Sequence, residues 1–352
     1  MLAVSLSLLL CFGAVALTRG SFITAVKAFA AMTAGAFGDW PRFFEKGAWS
    51  AVLGPWGETG NKAALLTLTG LSVAVAFRVG LFNIGAQGQL MMGAITAAVL
   101  GAKLELPGPL HLVICLLGAA LAGAAYAALA AYLKLARGVH EVISTIMLNW
   151  VAVSVVENWW VTGPLRASAS GDNSISGTDQ IHPSAELPLL LGAASRLNLG
   201  FALALLLAFA LYLWLTGATR GFEWKVVGLS AAAAETSGIA VKRRVFEAFA
   251  LAGAFAGMAG AVLILGTEHK YPPALATPYG FDGIAMALLG QGNPLGVFAT
   301  ALFFGGLRAG GTRLQLFGVH KSFPELIQGL ALLLVAAPWA WARLLNRSWR
   351  RA

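Results

Sequence analysis

Four uncharged amides and one carboxylate stand where an otherwise apolar chain offers little reason for polar groups. Asn83, Gln87 and Gln89 punctuate the glycine-rich run VGLFNIGAQGQLMMG at 79–93. An amide presents two donors and a carbonyl acceptor, so such groups can bind a neutral polar solute without the cost of burying a charge. The same groups can equally satisfy backbone N–H and C=O groups freed where a helix is interrupted. In GVHEVISTIMLNW at 138–150, Glu141, Thr145 and Asn149 recur every four residues and share one helical face. A polar face on a span turns inward, as a solute contact or as glue between helices. Asn149 is the deepest of the three, and Glu141 sits where a carboxylate favours a helix N-terminus. Asp282, in GFDGIAMALLGQGNPLG at 280–296, is the acid placed best within the membrane zone, as a pathway group or as a cap.

No catalytic machinery accompanies these residues. The chain has no Gly-x-x-x-x-Gly-Lys-Ser/Thr phosphate loop, and His140-Glu141 lacks the second histidine of a zinc-binding helix. Cys11 and Cys115 both lie in apolar runs, which suggests neither a disulfide framework nor a cysteine metal site. Catalytic residues, metal and cofactor are therefore all expected to be absent from this chain, and any active transport must draw on a partner or an ion gradient. The formal charge of +9 does not point to nucleic acid, because the basic residues sit at span ends and in short loops rather than in a stripe with exposed aromatics.

The elements that must position these groups are membrane helices. Hydrophobic residues make up 58% of the 352, charged residues only 11%, and the mean hydropathy is +0.76, beyond what a soluble fold can hide. Apolar windows predict spans near 2–17, 62–78, 90–104, 110–135, 141–161, 197–217, 245–266, 281–291, 294–309 and 323–345, two of them too short to cross alone. The expected fold is an all-α polytopic membrane bundle of about ten spans in one domain, 1–352. No basic region precedes the run at 2–17, so it is expected to be retained as a span rather than cleaved. Residues 18–61 hold Trp40, Pro41, Trp49, Pro55 and Trp56 without a clean span, as an interfacial segment would.

Broken helices are expected at Gly80–Gln89 and at Gly280–Gly296, both rich in Gly and amides and flanked by apolar helix. The basic loop at 218–245 and the tail with Arg343, Arg347, Arg350 and Arg351 are placed in the cytoplasm, and the polar loop at 162–196 outside. With that topology, 62–160 and 245–345 form inverted repeats, each with its interruption: Gly80 to Gly85 in the first and Gly280 to Ala285 in the second. Paired breaks of this kind point to a transporter's central pathway. Within the basic loop, the Ala231–Ala234 run predicts a short surface helix ended near Gly238. It requires a partner groove or lipid headgroups. Gly253, Gly257 and Gly260 in FALAGAFAGMAG predict a tight helix contact.

Four ordered stretches, GLFNIGAQGQLMMGA (80–94), EVISTIMLNWVA (141–152), VGLSAAAAETSGIAVKRR (227–244) and GFDGIAMALLGQGNPLG (280–296), resemble the permease subunits of ABC importers of the ribose and nucleoside class. The likeness is strongest to the branch that works with a basic-membrane-protein-type nucleoside-binding lipoprotein. It implies that 228–239 is the coupling helix that docks on an ATP-binding subunit, through Gly228, Ala232, Ala233, Ala234, Gly238 and Ile239. It also implies that Asn83, Asn149 and Asp282 lie close to the solute pathway. A second related permease, an ATPase that binds ATP and magnesium, and an extracytoplasmic solute-binding protein would complete a membrane heterodimer. The sequence departs from the family at Gln87, where Glu is usual, and at His140, where Asn is common. A secondary, ion-coupled transporter is the alternative, since it too uses inverted repeats and broken helices. Only Glu157 and Asp282 are candidates for the membrane-buried carboxylates such coupling needs.

Overall fold

The computed structural model describes residues 2–19, 21–167, 177–192, 195–275, 278–320 and 322–336, so the arginine-rich tail and the middle of the 162–196 loop lie outside the described residues. The described residues form fourteen α-helices. In order they are α1 Leu2–Arg19, α2 Phe22–Phe37, α3 Trp40–Lys46, α4 Ser50–Arg78, α5 Ala86–Lys103, α6 Gly108–Arg137 and α7 Glu141–Val155. After these come α8 Leu199–Gly217, α9 Thr219–Leu229, α10 Ala231–Thr236, α11 Val241–Leu263, α12 Tyr279–Leu289, α13 Pro294–Leu314 and α14 Phe323–Ala336. Five of the described helical segments, Ser50–Arg78, Gly108–Arg137, Glu141–Trp160, Leu199–Gly217 and Val241–Glu268, are long and apolar enough to cross a bilayer. The fold is thus an all-α polytopic membrane bundle. The chain divides into two compact units, 1–62 with 303–352, and 63–302.

In the smaller unit, α1 packs on α2 and α14. Phe12 stacks edge-on against Phe22 and Phe29, each at 5.3 Å between ring centres, and Phe29 meets Phe323 at 6.4 Å. Residues 22–37, read as lacking a clean span, form α2, a 16-residue helix capped by Ser21, whose Oγ accepts from Thr24 N at 3.3 Å. The helix expected at 62–78 begins twelve residues earlier, with Pro55 inside it. Trp40 and Trp49 of the expected interfacial stretch are exposed.

The larger unit is built around α11. Its small residues form a seam on which α5 and α6 lie backbone to backbone. A Cβ at Gly253 would overlap the Gly123 carbonyl oxygen, one at Gly257 that of Ala119, and one at Gly260 that of Leu90. The glycine spacing in FALAGAFAGMAG therefore marks a contact that no larger residue would allow. Outward, α6 and α8 present exposed Leu117, Leu121, Leu206, Phe209 and Leu213, an apolar surface that only lipid or another membrane chain can cover. Two spans end in a π-helical turn, Val156–Trp160 after α7 and Ile264–Glu268 after α11. The described part of the polar loop lies along the second of these. Leu187 N donates to Leu265 O at 2.8 Å, Ile181 N to His269 O at 2.9 Å, and Thr178 N to Tyr271 O at 3.0 Å.

Both expected stretches, Gly80–Gln89 and Gly280–Gly296, hold a break, but only in the first does it fall on the expected run of six residues. Between α4 and α5 the chain leaves the helix at Val79 and resumes at Ala86. The second run, Gly280 to Ala285, is helical, being the first turns of α12. The break comes later, over the four residues between Leu289 and Pro294. Gly280 and Gly283 are there for packing: a Cβ at Gly280 would overlap the backbone N of Gln87, and one at Gly283 would lie 2.6 Å from the Thr69 carbonyl carbon. Helical propensity and a Pro278 start outweigh glycine's entropy where the neighbouring backbone leaves no room for a side chain.

Candidate functional site

The break after α4 is built from a helix stop and an amide that competes with the helix. Gly80 takes a left-handed φ of 75°. Its N–H bonds to Phe77 O at 3.0 Å, and Leu81 N bonds to Ala76 O at 3.1 Å, the paired bonds of a Schellman cap. Three residues on, Asn83 is fully buried and uses its whole hydrogen-bonding capacity. Its Oδ1 accepts from Gly85 N and from Gln89 Nε2, both at 3.0 Å, while its Nδ2 donates to Gln89 Oε1 at 2.9 Å and to Ser72 Oγ at 3.3 Å. The Asn83–Gln89 pair thus closes a reciprocal amide ring across the start of α5.

Asn149 reaches the same place from α7. Its Nδ2 donates to Ile84 O at 2.9 Å inside the break, and its Oδ1 accepts at 2.8 Å from Gly88 N, an N-terminal donor of α5 with no partner in its own helix. A Cβ at Gly88 would lie 3.0 Å from that Oδ1, so the close approach needs glycine. Gln87 performs the matching act for α12, its Oε1 accepting from Gly280 N at 2.8 Å. The side-chain nitrogen of Gln87 makes no hydrogen bond among the described residues. Asp282 lies in the first turn of α12, two residues beyond the capped Gly280, where a carboxylate complements the helix dipole.

The structure therefore brings Asn83, Gln87, Gln89 and Asn149 into one buried cluster with the α12 start that carries Asp282. Three of the four amides are engaged with protein groups at both ends, and Gln87 at one. The rest of the polar face of α7 turns to other work. Thr145 bonds back to Glu141 O at 2.7 Å, and Glu141 pairs with Lys134 at 2.6 Å. Ser72 is a member of the cluster that the sequence reading passed over. Its only mark is a hydroxyl in the apolar stretch LTGLSVAVAF of α4. Below the break, Arg78, Phe77, Leu288 and Gln291 line a cavity of about 260 Å³, across which Arg78 Nη2 reaches Gly292 O at 3.4 Å.

The second candidate surface is the α9–α10 corner. Ser230 Oγ caps α10 by accepting from Ala233 N at 3.2 Å, and Gly238, at a φ of 79°, ends it with Ile239 N bonded to Ala234 O at 2.9 Å. Of the six residues implied as coupling contacts, Ala232, Ala233 and Gly238 are exposed and Ile239 is half-buried. Ala234 is buried, and Gly228 faces inward on Arg78 and Gly80. The corner is held to its surroundings on two further sides. Trp224 packs edge-on at 4.7 Å against Trp214 of α8, and Arg244 of α11 pairs with Glu223 and, at 2.7 Å, with Glu247.

Residues 58–336 match the family described as branched-chain amino acid transport system / permease component. A guanosine ABC transporter permease protein of Bacillus subtilis is 36% identical over 301 residues, covering 83% of this chain and 84% of its own. A glucose ABC transporter permease protein of Haloferax volcanii is 32% identical, over 77% of this chain and 73% of its own. A nucleoside ABC transporter permease protein of Lactococcus lactis is 31% identical, over 80% and 78%. No solved structure matches the chain at a comparable significance.

Proposed function

The chain belongs to the family of branched-chain amino acid transport system permease components, and from that premise we propose that it is one membrane-spanning subunit of an ABC importer for a nucleoside or a related simple sugar. It is a multi-pass protein of the cell membrane. The observation that carries the solute class is the amide cluster at the α4–α5 break, polar yet uncharged, beside a helix start. Neutral amides suit a solute rich in hydroxyl and carbonyl groups, whereas an anion or cation would call for a buried counter-charge. The names of the relatives, guanosine, nucleoside and glucose permeases, support the same class.

In this reading the cluster borders the pathway. Gln87 offers its free N–H₂ to the solute, while Asn83, Gln89 and Asn149 hold the break open. Asp282 sits beside the pathway at the start of α12. The exposed face of α10, through Ala232, Ala233 and Gly238, docks on a partner ATPase that supplies the energy. A second permease chain covers part of the apolar outer surface, and an extracytoplasmic binding protein delivers the solute to the loops at the far end.

Uptake of radiolabelled guanosine into vesicles carrying the assembled transporter tests this. Uptake should stop on ATP depletion and survive collapse of the proton gradient, and Ala233→Arg should leave the chain inserted while abolishing solute-stimulated ATP hydrolysis. Uptake that follows the proton gradient and ignores ATP would overturn the importer reading in favour of an ion-coupled carrier. Wild-type coupling in Ala233→Arg would remove α10 as the docking face.

A further inference from the structure

Gly228 is grouped by resemblance with the contacts to the ATPase, yet its surroundings are internal. A Cβ on Gly228 would overlap the carbonyl oxygen of Arg78 and lie 3.0 Å from the Arg78 carbonyl carbon and 3.1 Å from Gly80 N. Reciprocally, a Cβ on Gly80 would lie 3.1 Å from Gly228 O and 3.3 Å from Gly228 Cα. The end of α9 therefore lies directly on the last turn of α4 and the first residues of the break, main chain against main chain.

Each side of that contact leads quickly to one of the two candidate surfaces. Two residues beyond Gly228 is Ser230, whose side chain starts α10. Three residues beyond Gly80 is Asn83, the centre of the amide cluster, which is tied through Gln89, Ser72 and the Ile84–Asn149 bond to α4, α5 and α7. Close-packed backbones have no side-chain torsions with which to absorb a displacement, and interiors packed in this way transmit strain. Arg244 and Trp214 hold the rest of α9 to α11 and α8, so the corner has firm contacts on three sides.

On the importer reading given above, we propose that Gly228 is a positioning residue for transport: it passes displacement of α10 to the break at 79–85 through its contact with Arg78 and Gly80, and does not itself dock on the ATPase. Gly80 is the other half of the same joint. Solute access and nucleotide-driven motion are then linked over a few residues within this chain, rather than only through rotation of whole subunits.

The test compares Gly228→Ala, Gly80→Asn and a control at an exposed residue of α9, Lys225→Ala, with wild type, in the full transporter reconstituted into vesicles. Three quantities are read: co-purification of the ATPase, ATP hydrolysis, and guanosine moved per ATP. For Gly228→Ala the ATPase should co-purify and hydrolyse at wild-type levels, while guanosine moved per ATP falls by about tenfold, within the usual range of coupling energies. Lys225→Ala should match wild type throughout. Asn tolerates the left-handed backbone of Gly80, so Gly80→Asn should fold and lose the same ratio, and it decides the matter if Gly228→Ala fails to accumulate. Loss of the ATPase on purification would make Gly228 a docking residue. A proportional fall in all rates at unchanged guanosine per ATP would make it merely structural; either result overturns the proposal. Wild-type vesicles that take up neither guanosine nor glucose with ATP would instead defeat the importer reading itself, a distinct outcome seen before any variant is compared.

Discussion

The runs at 80–85 and 280–285 share a glycine, a phenylalanine, a polar residue and a second glycine, yet the first is unwound and the second opens a helix. In the first, Gly80 turns left-handed to stop α4, and Asn83 offers Gly85 N–H and the Gln89 amide a set of bonds that the helix could not match. In the second, Asp282 stands in the first turn of α12, where its charge favours the helix N-terminus, while both glycines are pressed against foreign backbone at Gln87 and Thr69. Glycine thus does opposite things in the two runs. What decides is whether a side chain competes for the backbone groups and whether another main chain occupies the space where a Cβ would stand.

The strongest way to break this comparison is at the polar residue. Asn83→Leu strands the Gln89 amide and the Gly85 N–H in a buried site, at about 1–3 kcal/mol for each unsatisfied group and about 2–6 kcal/mol in all. Asp282→Asn keeps a polar side chain of the same size at the corresponding place and removes its interaction with the dipole of α12, worth about 0.3–1 kcal/mol. The midpoint of thermal unfolding of the detergent-purified chain should therefore drop far more for Asn83→Leu. Equal losses would mean that the amide ring does not hold the break.

Next in size is the glycine of the helical run. If Gly280 and Gly283 only weakened α12, alanine would stabilise it by up to about 1 kcal/mol through helix propensity. Because a Cβ at either position meets foreign backbone, Gly280→Ala and Gly283→Ala should instead destabilise by about 1–3 kcal/mol, the usual cost of overpacking. The sign of the change in unfolding midpoint distinguishes the two roles, and a rise in either variant would return that glycine to the status of a helix breaker.

These cases also mark how far the residues alone carry the structure. The all-α membrane bundle, the seam of α11, the stop at Gly80 and the short helix capped by Ser230 are legible because their causes are local: composition, glycine spacing, and a cap next to the helix it serves. The gap between the expected spans 281–291 and 294–309 already marks the second break; the residues do not disclose that Gly280 to Ala285 is helical, because the contact that caps Gly280 comes from Gln87, 193 positions away. The same distance hides the division of labour within the amide cluster. Type and spacing single out Asn83, Gln87, Gln89 and Asn149 as polar groups in an apolar chain. Only the fold shows that three of them spend both ends of their amide on protein partners while Gln87 keeps one end free. Ser72 escapes notice because a single hydroxyl on a span is ordinarily satisfied by its own helix, as Thr67 is through Ala63 O at 2.7 Å.

The smallest effect concerns where each helix stops. Both α4 and α12 end in the same paired bonds, since Gln291 N reaches Leu288 O at 3.1 Å and Gly292 N reaches Ala287 O at 2.8 Å. The left-handed position is Gly80 at a φ of 75° in one cap and Gln291 at 54° in the other. A non-glycine residue there bears a steric cost of roughly 1–2 kcal/mol. Glycine relieves that cost but gives back roughly 0.5–1 kcal/mol through the freedom of the unfolded chain. Gln291→Gly should therefore stabilise the chain by no more than about 1 kcal/mol, a rise of a few degrees at most in the unfolding midpoint. A fall would show that the Gln291 side chain, at the wall of the cavity it shares with Arg78, makes contacts worth more than the strain it bears. The second break would then be held by a side chain, as the first is by Asn83, and the contrast between the two would narrow to where the polar residue stands: inside the break in one, at its edge in the other.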